Sequence, residues 1–156
     1  MWFGLTIALA VIAADQASKT WIVGFFSVRG GEPVAVLTPF FNLVLTGNRG
    51  MSFGLFNTNA AMNTAVFTAL AGVIVIALLV WLRRAHNPLI RLAIGMIIGG
   101  AIGNVIDRLM RGAVVDFLDF HLGNWHWYAF NVADAAICLG VIALLLDGLL
   151  ARPKAA

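Results

Sequence analysis

The sequence predicts an all-α membrane protein of four transmembrane helices, with a small β-rich extracytoplasmic subdomain and an interfacial aromatic loop or helix. Three observations predict it. Only 11% of the 156 residues are charged, against roughly 25% in soluble domains. Hydrophobic residues make up 62% and the mean hydropathy is +0.95; a soluble chain of this length cannot hide that much apolar surface, because much of its area must face water. Four apolar stretches each match the roughly 30 Å hydrocarbon core, which takes about 20 helical residues to cross. Composition therefore excludes a disordered chain, a soluble nucleic-acid binder and a disulfide scaffold. The one cysteine, Cys138, rules out an internal disulfide.

The predicted spans cover residues 2–26, 60–82, 88–109 and 131–150, within one integral membrane domain, 1–156. Outer links of residues 27–59 and 110–130 join them. The first span is interrupted by Asp15, Gln16, Ser18 and Lys19. Ala13-Ala14 resembles a signal-peptide cleavage site, but no Lys or Arg precedes the apolar run and residues 21–26 continue it, so a retained span is expected. The second span carries no charge. The third opens on Pro88, which suits a first helical turn, and places Gly95, Gly99 and Gly103 on one face where another backbone can approach. Cys138 falls inside the apolar fourth span, where packing is its expected role.

The two outer links differ. Residues 33–56 are β-rich, with a turn expected at 46–50, and predict a small sheet resting on the membrane. The second link holds Trp125, His126, Trp127 and Tyr128, whose rings favour the headgroup level, so it is expected to lie flat at the interface. The basic link Arg83-Arg84-Ala85-His86-Asn87, nearby Arg91, and Arg152 and Lys154 in the tail place both termini in the cytoplasm. The Lys/Arg count alone is a tie, five on each side. The acids break it, since Asp15, Glu32, Asp107, Asp116, Asp119 and Asp134 all fall in the outer half or outside.

An ionised side chain at mid-bilayer costs roughly 2.5–3.5 kcal/mol, so a chain this sparing with charge must use its intramembrane acids. Asp116 closes the exit from the third span and Asp134 opens the fourth. Antiparallel helices can bring them together, and two adjacent carboxylates share a proton near neutrality, giving one base and one acid. Such a pair hydrolyses a peptide bond without metal, serine or cysteine. Blander roles stand beside this one. Asn131 and Asp134 suit a helix N-cap and first-turn acid, and Asp116 an interfacial loop. Asp119 suits a solvated neighbour, Asp15 with Lys19 an i,i+4 pair, and Asp107 with Arg108 a structural ion pair. His121, His126, Asp116 and Asp119 cluster within eleven residues, but the spacing matches no strong zinc motif and no metal is expected.

Five boxes in order resemble the bacterial lipoprotein signal peptidases, the signal peptidase II family. They are D-Q-A-S-K at 15–19, F-N-L-V-L-T-G-N-R-G-M-S-F-G-L at 41–55, G-G-A-I-G-N-V-I-D-R at 99–108, V-V-D-F at 114–117 and F-N-V-A-D-A-A-I at 130–137. The resemblance implies an intramembrane aspartic endopeptidase of the cytoplasmic (inner) membrane. It would cut the signal peptide from a prolipoprotein just before a diacylglyceryl-modified cysteine, with its site near the outer leaflet surface. It implies a catalytic dyad at Asp116 and Asp134 and supporting polar residues at Asp15, Lys19, Asn48, Asn104, Asp107, Arg108 and Asn131. It also implies no cofactor, membrane lipid as surroundings and inhibition by globomycin-type peptides; a monomer is expected. One box departs from the family's usual N-T-G-A-A-F: here it reads N-R-G-M-S-F, with Arg49, Met51 and Ser52. The rival classes are a proton relay or small transporter, a metal-dependent membrane hydrolase and a lipid-binding scaffold. No inverted repeat or broken midpoint pair favours the transporter.

Overall fold

The computed structural model describes residues 1–30, 33–49 and 60–150; Glu32, Gly50, Met51, Ser52, Arg152 and Lys154 lie outside them. In chain order the elements are α1 (Trp2–Val28), β1 (Val34–Thr38), β2 (Phe41–Asn48), α2 (Ala60–Arg84), α3 (Pro88–Arg111), β3 (Val114–Leu122), β4 (Trp125–His126) and α4 (Val132–Leu150). The strands form one antiparallel sheet in the order β1-β2-β3-β4.

Three helical segments, Thr64–Arg84, Pro88–Arg111 and Val132–Leu150, are long and apolar enough to cross a membrane. α1 has 27 residues, ample length, but it is not among the three, because Asp15, Gln16, Ser18 and Lys19 lower its apolarity. Those polar residues turn inward: Asp15 and Lys19 are fully buried. Outward-facing side chains such as Leu9, Leu70, Ile76, Leu145 and Leu149 are exposed, a distribution that suits lipid rather than water as solvent.

α3 is the hub, packed against α1, α4 and α2. In lipid, helices associate through close packing and hydrogen bonds rather than through apolar transfer from water, so small residues decide the contacts. A side chain at Gly95 would strike the Gly4 carbonyl of α1. A Cβ on Gly99 would lie 2.7 Å from the Ala8 carbonyl oxygen, and one on Gly100 would strike Ala133 of α4. Gly99→Ala must therefore push α1 and α3 apart, and the expected loss is about 1–3 kcal/mol. Thermal unfolding in detergent checks it against Gly72→Ala, where nothing lies within 4 Å and the midpoint should hold.

Two apolar clusters mark the ends. At one, Ala8, Leu82, Ala85, Ile94 and Ile98 pack together. Here Asn87 caps α3 by accepting from the Leu89 N–H at 2.9 Å, and donates to Asp147 Oδ1 at 2.7 Å. The start of α1, the α2–α3 link and the later part of α4 thus share one end. At the other end Ile22 and Phe26 of α1 meet Ala35, Leu43, Val115 and Phe117 of the sheet.

Three expectations change. The first hairpin turns at residues 39–40, and Thr46, Gly47 and Asn48 stay in β2, paired with Asp116, Val115 and Val114. The second outer link, expected as an aromatic loop or helix, forms the β3–β4 hairpin, because the β3 backbone pairs with β2 on one side and with Trp125 and His126 of β4 on the other. Val115 and Phe117 enter the apolar cluster, and strand alternation turns Asp116 to the other face. Cys138 is exposed rather than packed.

Candidate functional site

α4 begins with a reciprocal cap. The Asp134 N–H donates to Asn131 Oδ1 at 2.9 Å, and the Asn131 N–H donates to Asp134 Oδ2 at 3.3 Å. This is the capping-box arrangement with Asn and Asp in its two positions. The remaining amide group of Asn131 is what joins the cap to the sheet: its Nδ2 donates to Asp116 Oδ1 at 2.7 Å. Asn131 is fully buried and Asp116 is 2% exposed. One residue therefore touches both carboxylates. The cap role weighed for Asp134 and its closeness to Asp116 hold together.

A second amide completes the set. Asn104 of α3 donates through Nδ2 to Asp134 Oδ1 at 2.8 Å, while its Oδ1 accepts from Lys19 Nζ at 3.1 Å. Lys19 also contacts Asp15 Oδ2 and Asp107 Oδ2, both at 2.9 Å. All three charged groups are fully buried. Each acid then holds backbone: Asp15 Oδ1 accepts from the Ala133 N–H at 3.0 Å, and Asp107 Oδ2 from the Val115 N–H at 3.0 Å. Ala133 immediately precedes Asp134 and Val115 immediately precedes Asp116. Lys19 thus yokes the two chain segments that carry the pair. Gly103 makes room for this, since a Cβ there would lie 2.6 Å from Asp15 Oδ2.

The supporting residues named from the sequence divide as follows. Asp15, Lys19, Asn104, Asp107 and Asn131 form this one network. Asp107 pairs with Lys19 and Arg111 rather than with its chain neighbour Arg108, whose guanidinium lies 5.2 Å over the Phe67 ring and donates to the Asn104 carbonyl at 3.3 Å. Asn48, at the end of β2, hydrogen-bonds the Asp116 carboxyl. Gln16 and Arg111 were not among the residues the sequence singled out for the site. Gln16 interrupts an apolar helix beside Asp15, a signal that was available; Arg111 gave none.

Asp119 is not a solvated neighbour. It is 6% exposed, accepts from Asn42 Nδ2 at 3.0 Å and pairs with His126 Nδ1 at 3.0 Å, while the His121 ring meets the His126 ring edge-on. The four residues weighed for zinc therefore split, Asp116 toward Asn131 and Asn48, Asp119 toward Asn42 and His126.

The two carboxylates open onto adjacent hollows. Asp116 lines one of ≈ 340 Å³ with Thr46, Gly47, Asn48, Arg49, Tyr128 and Ala129. Asp134 lines a groove of ≈ 430 Å³ with Trp127, Phe130, Ala135, Cys138 and Leu139. The segment 127–130 divides between them, Tyr128 and Ala129 lining the first and Trp127 and Phe130 the second. The first hollow offers polar edges and the second an apolar channel along α4.

Burial pushes the Asp116 carboxyl up to about 6, the Asp134 charge adds to the rise, and hydrogen bonds from Asn48 and Asn131 together with the Lys19 charge oppose it. The folded value lies above the unfolded 3.8, so the native state binds this proton more tightly. Stability is then lost as pH rises from about 4 through 6. Asp116→Asn mimics the protonated form and should stabilise the protein above pH 6, by up to about 3 kcal/mol, with the gain vanishing toward pH 4. Unfolding midpoints at pH 4, 6 and 8 measure it; a pH-independent difference would contradict the burial argument.

A family model described as signal peptidase (SPase) II matches residues 7–150. The chain is 46% identical over 152 residues to a lipoprotein signal peptidase of Methylorubrum extorquens, covering 97% of this chain and 88% of that one. It is 44% identical over 156 residues to one of Nitrobacter hamburgensis, covering 97% and 94%. Two solved structures described as a bacterial membrane enzyme superpose with TM-scores of 0.75 and 0.76, at 26% and 27% identity. The first covers 100% of this chain and 94% of its own, the second 98% and 96%.

Proposed function

Because the chain belongs to the signal peptidase II family, membrane peptidases that remove signal peptides from prolipoproteins, we propose that Asp116 and Asp134 are its catalytic dyad. The observation that carries this reading is the buried Asp116 carboxylate and the half-buried Asp134 carboxylate joined through Asn131. Asp134 receives donors on both oxygens and sits in the first turn of α4, where the helix N-terminus favours negative charge; it is the base. Asp116, almost fully buried, keeps the shared proton and is the acid.

Asp134 takes a proton from water as the oxygen attacks the scissile carbonyl, and Asp116 gives its proton to the carbonyl oxygen. When the tetrahedral species collapses, one hydroxyl proton returns to Asp116 and the proton on Asp134 goes to the leaving nitrogen. General acid–base help of this kind contributes about 10²–10⁴-fold.

The bond cut is the one before a diacylglyceryl-modified cysteine. Four spans, α1 included, form one integral unit in the bacterial inner membrane with both termini in the cytoplasm. The polar residues of α1 face the yoke rather than lipid, which reconciles that helix with a crossing. The ends rich in Arg83, Arg84 and Arg91 lie opposite the sheet, the pattern expected if the sheet is outside. A scissile bond at outer-leaflet depth then meets the dyad while its acyl chains and signal helix stay in lipid, and the apolar groove below Asp134 suits such a substrate. Asn48, bonded to Asp116, and Arg108, in the field of both acids, are proposed to contact or orient the substrate. The protein acts as a monomer, and globomycin-type peptides compete for the same place. Incubating the purified protein with a diacylglyceryl-modified precursor, with and without globomycin, tests the reading: a globomycin-sensitive cut before the lipidated cysteine is expected, and no cut, or a cut elsewhere, overturns it.

A further inference from the structure

The Lys19 ammonium has three N–H donors, and all are used: Asp15, Asp107 and Asn104. Two buried carboxylates around one ammonium leave a negative charge, which a buried site cannot hold cheaply. The missing cation comes from the last turn of α3. Arg111 pairs with Asp107 Oδ1 and donates to Gln16 Oε1 at 3.4 Å. That contact turns the Gln16 amide, so its Nε2 faces Asp15 Oδ2 at 3.1 Å, the Gly103 carbonyl at 3.2 Å and Asp107 Oδ1 at 3.3 Å. Arg111 alone among the four charges reaches the surface, with its side chain 29% exposed.

We infer that Arg111, acting through Asp107 and Gln16, is a positioning residue for the peptidase reaction. It neutralises the Asp15–Lys19–Asp107 cluster, so that Lys19 keeps its third donor on Asn104 and Asn104 keeps its Nδ2 turned toward Asp134. Arg111 touches no reacting atom. The inference rests on the dyad reading above. Besides Asp15 and Lys19 of α1 and Asp107 of α3, the charged or titratable groups facing the dyad among the described residues are Arg108 of α3, Arg49 just past β2 and Tyr128, which share the Asp116 hollow, and the acids themselves, Asp116 on β3 and Asp134 on α4. From α2 the neighbour is the uncharged Phe67 ring.

Removing Arg111 leaves one uncompensated negative charge behind the dyad, which makes its shared proton harder to lose. The test compares Arg111→Gln, Arg111→Lys, Asp116→Asn and Asp134→Asn with wild type on the same diacylglyceryl-modified precursor across pH, with thermal melts alongside. Arg111→Gln should lower kcat about tenfold or more through misplacement with KM within about twofold. It should also move the alkaline limb of kcat/KM upward by about half a pH unit or more. Arg111→Lys should restore most of both. A pH profile that superposes on wild type, or a kcat loss that lysine fails to rescue, overturns the inference. Should Arg111→Gln not melt cooperatively, Gln16→Leu carries the test, because it cuts the amide relay and keeps every charge. There a lowered kcat with an unmoved limb supports the inference, and an unchanged kcat overturns it. Turnover retained in Asp116→Asn and Asp134→Asn would sink the dyad reading. Inactive dyad variants beside a wild-type-like Arg111→Gln would sink only the role of Arg111.

Discussion

Asp134→Asn and Asp116→Asn proteins are each expected to fold, insert and bind a diacylglyceryl-modified precursor, yet to release signal peptide about 10³-fold more slowly than wild type. The two should differ in stability. At Asp134 both oxygens accept, from Asn104 and from the Asn131 N–H, so an amide there turns an N–H toward a donor and costs about 1–3 kcal/mol. At Asp116 the acceptor of Asn131 survives as the amide oxygen and a disfavoured charge is gone, so the inactive protein is the more stable one at pH 8. Asp119→Asn is the control. Asp119 belongs to a separate cluster with Asn42 and a half-exposed His126, and turnover should stay within a few-fold. Precursor cleavage followed by gel shift, with melts in the same detergent, reads all three. Near-normal turnover in either dyad variant, or a collapse at Asp119 as deep as at Asp116, would show that other acids carry the reaction.

The second large effect is structural. Lys19→Met removes the ammonium that lies between Asp15 and Asp107, both fully buried. Losing one partner of a buried ion pair costs about 3–5 kcal/mol because the other is left uncompensated; here two acids lose theirs, and with them the backbone grips on Ala133 and Val115 loosen. The expected result is a protein that accumulates poorly and melts early. Adding Asp15→Asn and Asp107→Asn removes the stranded charges and should recover most of the stability while leaving cleavage slow, since Asn104 no longer has a cation to orient it. A Lys19→Met melt within about 1 kcal/mol of wild type would show that the Lys19 contacts do not hold these segments together.

Much of this was legible from local pattern. Apolar stretches of bilayer length predicted the helices that begin at Pro88 and Val132 to within two residues of their ends, since a helix's length and solvent are read along the chain. The Gly95, Gly99, Gly103 spacing predicted a close-contact face, and α1 lies on it. Beyond local pattern, the family resemblance carried by five short boxes implied Asp15, Lys19, Asn104, Asp107 and Asn131, which meet in one network. Other readings failed where the deciding partner is remote. Asp107 beside Arg108 invited a neighbour pair, yet its partner Lys19 lies on a different helix. Asp119 read as solvated because Asn42, which covers it, lies on another strand. The second link read as a loop or helix because a strand needs an edge, and for β3 that edge is β2, far upstream.

Burial in lipid and helical spacing follow from composition and period, which are properties of contiguous residues, and they were enough to expect six of the seven acids toward one membrane face. Which acid meets which cation, which way each amide turns, and that one asparagine should touch both carboxylates depend on angles between packed helices and on the register of a strand pair. Those quantities are set by side chains interlocking across a bundle, so they come into being only when the chain has folded.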